Sequence, residues 1–144
     1  MGMPQQFMQQ QQMQQRAHPM QNVRAQQIQQ IFQYFQGTVV MNNTQTTQDL
    51  RVPLLLSQSQ QPLFIKVMVP VQFPQMPPVV HVMHRVVHAK VSKDERYTFI
   101  DDKLVNWKPH YNLLSILRQM HQEFQLSPPV PENLVAKNHQ MLQG

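Results

Sequence analysis

Three histidines, His81, His84 and His88, stand at the spacing H-x-x-H-x-x-x-H. On a helix that spacing would gather three imidazoles on one face, and three nitrogen ligands with an open fourth position suit a catalytic zinc ion. The segment does not read as a helix, however. Val79, Val80 and Val82 are β-branched and follow Pro77-Pro78 directly, which favours a strand. In a strand His81 and His84 point to opposite faces and cannot converge on one ion. The expectation is solvated or hydrogen-bonded histidines, with no metal and no cofactor.

Two adjacent carboxylate pairs, Asp94-Glu95 and Asp101-Asp102, could share acid–base work. Neither is accompanied by a nucleophile, and with three glycines in the chain there is no glycine-rich phosphate loop, so both pairs read as solvated turns. The 144 residues include no cysteine. Disulfides, thiolate metal sites and thiol nucleophiles are therefore all excluded.

Formal net charge is +5, from twelve Lys and Arg against seven Asp and Glu. A concentrated excess of that size would suit nucleic acid. Here the basic residues are scattered and not interleaved with stacking aromatics, so nucleic acid is not an expected partner. No apolar run approaches the ~20 residues of a membrane span.

The elements that must position these residues follow from periodicity. Residues 1–21 form a Gln/Met-rich arm too polar to fold alone. Arg16 and Arg24 are the only charged side chains before Asp49, as in a mitochondrial presequence, although Gln and Met replace the usual Arg and Ser. Residues 22–144 make one domain. Ile28, Ile31, Phe32 and Phe35 fall at i, i+3, i+4 and i+7, predicting a helix over 23–36 that Gly37 stops. Runs at 38–41, 50–56, 63–71 and 79–83 predict a four-stranded antiparallel meander. Residues 84–107 lack a clean period and read as a long excursion with a short strand over 96–100. A helix over 111–125 follows, with Leu113, Leu114, Leu117, Met120, His121 and Phe124 on one face. Pro128-Pro129 end it, and a final helix is expected over 132–142, with Pro131 at its start.

The string Phe73-Pro74-Gln75-Met76-Pro77-Pro78 closes the β-rich stretch. It is followed by Trp107-Lys108-Pro109, Asn112-Leu113-Leu114, Phe124 and Pro128-Pro129-Val130. In that order the chain resembles the ubiquitin-conjugating fold, and more closely its inactive UEV variants, nearest to the UEV domain of the tumour-susceptibility-type subunit of the endosomal sorting complex ESCRT-I. The resemblance implies an α+β fold with an N-terminal helix, a four-stranded antiparallel meander and C-terminal helices. Active members carry ubiquitin as a thioester on a cysteine preceded by His-Pro-Asn. The nearest string here is His88-Ala89-Lys90, and Tyr97 falls near the cysteine position. Losing both the nucleophile and the side-chain donor to developing charge removes the mechanism, so no enzyme activity is expected.

The sorting variants bind Pro-rich peptides between tyrosines of the second hairpin and residues after the proline pair. By resemblance those positions fall on Leu56, Gln61, Val130 and Pro131, none aromatic, which weakens a polyproline groove. An aromatic that helps contact ubiquitin falls near His81. The implied partners are other protein subunits, with ubiquitin or a Pro-rich peptide as ligand. Two readings follow. One is a cytoplasmic or endosomal binding module. The other is a scaffold subunit of a large mitochondrial or cytoskeletal assembly, held by the arm and favoured by the absence of the heptad-bearing stalk that sorting subunits carry.

Overall fold

The computed structural model describes residues 19–134. Helix α1, Pro19–Tyr34, opens on a proline, whose missing N–H is not needed in the first turn. Ile28, Ile31 and, just past the helix, Phe35 are buried, but Phe32 is exposed. Its expected inward place is taken by Gln27, which is 8% exposed. Gln27 faces inward because its Oε1 accepts the N–H of Leu113 at 2.8 Å, satisfying a free donor at the start of another helix. Gly37, at φ +94°, turns the chain where a side chain would be strained, and a Cβ there would lie 3.3 Å from Pro53 Cγ.

Four strands follow, β1 Val39–Asn43, β2 Thr47–Leu54, β3 Leu63–Pro70 and β4 Val79–Val82. They form an antiparallel meander in the order β1-β2-β3-β4. The register lines up Val40, Leu50, Val67 and Val80 in one row and Val39, Arg51, Lys66 and His81 in the next. Leu50, Val67 and Val80 are fully buried. The second row therefore faces outward, as the two-residue period of a strand requires. Pro53 lies in β2 beyond the Val39–Arg51 pair, where β1 has ended and its missing N–H interrupts no ladder.

Beyond β4 the excursion pairs β5, Val86–Val87, with β6, Val130–Pro131, and contains the short helix α2, Asp102–Val105. The expected strand over 96–100 is absent. In its place are two isolated bridges, His81 with Thr98 and Val91 with Phe99. Tyr97 at φ +52° interrupts the extended backbone that a strand needs. The carboxylate of Asp101 is likewise no solvated turn. It is buried, accepts the Lys103 N–H as the cap of α2, and binds Lys90.

Helix α3, Leu113–Leu126, begins at Asn112, whose side chain caps the N–H of Ser115. Leu113, Ile116, Leu117, Met120 and Phe124 are buried, and all but Ile116 join the core formed with α1 and the inner sheet face. Phe73 is buried beside a cis Phe73–Pro74 bond, while Trp107 is only half-buried at the core's edge. Residues 132–134 are helical. The remainder of the helix expected over 132–142, and residues 1–18 of the arm, lie outside the described residues. Among the described residues no helix is long and apolar enough to cross a membrane.

Candidate functional site

After β2 the chain runs over the end of α3 before turning into β3. The carbonyl of Leu55 accepts hydrogen bonds from His121 Nε2 at 2.7 Å and Gln125 Nε2 at 2.8 Å. Gln125 Oε1 accepts from the Ser57 N–H at 2.9 Å, so one helix turn holds this segment at three points. Leu55 is thereby left outside and Leu56 turned in, 68% against 8% exposed. The following turn is held locally, with the Ser59 hydroxyl donating to the Gln61 carbonyl at 2.9 Å.

The opposite wall is the proline segment after α3. His88 fixes it by donating from Nε2 to the Ser127 carbonyl at 2.9 Å while its Nδ1 accepts the Lys90 N–H at 3.0 Å. The ring also meets Phe124 edge-on, with centroids 4.8 Å apart. Between the walls runs a groove of about 610 Å³. Leu56, Leu63 and Val86 supply apolar lining, Gln58 and Gln61 amides, and Pro128, Pro129 and Pro131 the far side. His84 and Arg85 also line it. His84 is anchored because its Nε2 accepts the Phe64 N–H at 3.1 Å and its ring stacks on that of Phe64.

Three of the five residues singled out from sequence, Leu56, Gln61 and Pro131, thus come together in one groove. Val130 belongs to the β5–β6 ladder, paired with Val87. His81 lies apart, in a separate cleft with Lys66. Leu63, Val86, His84 and Arg85 were not foreseen as lining. No local pattern distinguishes them, because a chain reversal and a long-range strand pair bring them there. The three histidines diverge, His81 to the Thr98 hydroxyl, His84 to the Phe64 N–H and His88 to Ser127. Among the described residues no group of three or more His, Cys, Asp or Glu could hold a metal ion.

Two further titratable groups, Asp94 and Tyr97, are held by local hydrogen bonds. The Ser92 hydroxyl and the N–H groups of Arg96 and Tyr97 hold the Asp94 carboxyl below its usual range. Tyr97 donates its hydroxyl to Glu132 Oε2 at 2.5 Å, which pushes the phenol above its ordinary value. The groove itself offers apolar contacts, amide hydrogen bonds and one guanidinium, the means to bind a peptide segment.

No family model matches this sequence, and no curated protein matches it. Among solved structures, the fold is similar to the E2 domain of a Toxoplasma gondii ubiquitin-conjugating enzyme. The TM-score is 0.57 at 16% identity, over 84% of this chain and 89% of that one. At that identity the similarity bears on the fold alone. The N-terminal helix, four-stranded antiparallel meander and C-terminal helical region of this chain have the α+β architecture of a ubiquitin-conjugating domain.

Proposed function

We propose that this chain is a catalytically inactive variant of the ubiquitin-conjugating fold, acting as a protein-binding module of the endosomal-sorting type. The observation that carries the reading is a conjugating fold whose 144 residues contain no thiol. Thioester formation needs a sulfur nucleophile, and the nearby groups do not replace it. Both ring nitrogens of His88 are bound to backbone, and the Tyr97 hydroxyl is tied to Glu132. With chemistry removed, the groove beside Pro128 and Pro129 supports binding as the function that the fold retains.

Incubation of the full chain with activating enzyme, ATP and ubiquitin should give no thiol-sensitive adduct. An adduct would overturn the inactive reading. Tagging the endogenous chain should recover subunits of the sorting complex. Recovery of a mitochondrial or cytoskeletal assembly in their place would replace the sorting role with a scaffold one.

A further inference from the structure

The outward row of the sheet leads to a second cleft, of about 740 Å³, away from the groove. Lys66 of β3 stands directly beside His81 of β4 in the ladder. Thr98 bridges His81 from the other side, its hydroxyl 3.2 Å from the imidazole Nδ1. Arg96 lines the same opening, and among the described residues no carboxylate does. Met68, Val79 and Met83 supply its apolar lining.

Among the described residues, the disposition of carboxylates offsets Lys66 in part and leaves Arg96 as the cleft's unpaired cation. Asp49 is buried with Oδ2 4.0 Å from Lys66 Nζ. Asp101 and Glu123 share Lys90, Asp102 accepts from Asn106, and Glu132 accepts from Tyr97. Asp94, two residues before Arg96, accepts on Oδ1 from the Ser92 hydroxyl and from two backbone N–H groups. Among the described residues, Glu95 is the one side-chain carboxylate of seven without such a partner. Arg96 has no carboxylate within 4.0 Å among the described residues. The pKa of His81 is lowered first by burial and then by the charge of Lys66, while a hydrogen bond to the Arg96 backbone raises it.

We propose that this cleft docks an acidic peptide segment of a partner protein, with a carboxylate between Lys66 and Arg96 and an adjacent apolar side chain against Met68, Val79 and Met83. Charge complementarity selects the acid. The apolar lining selects a segment that mixes acidic and apolar residues over a plain polyanion. A concave opening between two strands and a loop suits a peptide better than a flat bilayer. The inference is independent of the groove, and its failure would leave the groove reading intact.

The test uses the full chain and a fluorescent probe peptide of alternating glutamate and leucine, with its glutamine analogue and phosphatidylserine vesicles as comparators. The glutamate peptide should bind at least about tenfold more tightly than the analogue, a difference that shrinks with added salt. Its resonance shifts should map to Met68, Met83 and Thr98. Arg96→Glu should weaken binding by about tenfold or more, while Lys108→Glu, the same charge change outside the cleft, should alter it by less than about twofold. Thermal melts check that both variants fold. Equal effects of the two reversals, equal binding of the glutamine analogue, shifts in the groove, no peptide binding, or binding to vesicles alone would each overturn the proposal.

Discussion

The indole N–H of Trp107 donates to the carbonyl of Pro74 at 2.7 Å, across 33 residues of chain. The same ring packs on Phe73 with centroids 5.5 Å apart and meets Tyr111 edge-on. One side chain thus fastens the end of the excursion to the proline turn that follows β3. An indole suits this position because it covers apolar area while needing a single acceptor.

The burial of the two signature aromatics predicts an order of effects. Phe124→Ala should cost about 3–5 kcal/mol, the usual range for a fully buried ring. Trp107→Ala should cost less, about 2–3 kcal/mol, since the half-buried indole loses part of its packing and one hydrogen bond. Urea unfolding of both variants checks this, and the reverse order would contradict the packing described for α3.

Lys90 holds the excursion to α3, with Nζ 2.7 Å from Glu123 Oε1 and 3.2 Å from Asp101 Oδ1. The hydrogen bond that Lys90 donates to Glu123, followed by the one to Asp101, raises the ammonium pKa above its ordinary 10.5. Its stabilisation is therefore complete below that ordinary value and is lost as pH rises through the higher folded one. The Lys90 side chain is 38% exposed, so solvent screening discounts the pair. Lys90→Met should cost about 1–2 kcal/mol at neutral pH. The gap from the parent protein should narrow in strongly alkaline urea titrations.

His81 behaves in the opposite sense, because burial and the charge of Lys66 lower its pKa below the ordinary 6.5. The unfolded chain then binds the proton more readily, so the contribution is present above 6.5 and is lost as pH falls below it. His81→Gln should flatten that part of the stability profile between neutral and mildly acid pH. An acidic peptide in the cleft should favour the protonated ring and bind more tightly on acidification, readable by repeating the titration at two pH values.

The groove carries a separate expectation. Among the described residues, its lining contains prolines and aliphatic side chains but no Tyr, Phe or Trp. A free Pro-rich late-domain peptide should accordingly bind no more tightly than about 1 mM, or ~4 kcal/mol, since the stacking that holds polyproline is missing. Titration calorimetry showing micromolar affinity would mean that the prolines and Leu63 replace aromatic rings at this site.

Much of the fold was legible because it is written in local patterns. The spacing of Leu113, Leu117, Met120 and Phe124 marks the buried face of α3. Gly37 and the prolines mark where elements stop, since backbone freedom and a missing N–H act within a few residues. The same logic misplaced Phe32, because periodicity describes a face but does not say that a distant N–H at Leu113 requires Gln27 in that face. It also drew a strand over 96–100, where Tyr97 adopts a backbone conformation that its residue type does not announce.

The absence of a thiol is a property of composition alone, and no arrangement of the chain can restore thioester chemistry. Where a partner could dock is a property of the tertiary structure. The groove joins Leu56 and Leu63, His84 to Val86, and Pro128, Pro129 and Pro131, which meet because α3 holds Leu55 and because β5 pairs with β6. The second cleft needs the β3–β4 register to set Lys66 beside His81 and the bridge at Thr98 to bring Arg96 to the same opening. Scattered cations in the sequence become a directed surface only when folding brings Lys66 and Arg96 to one opening, since electrostatic attraction depends on distance in space and not on separation along the chain.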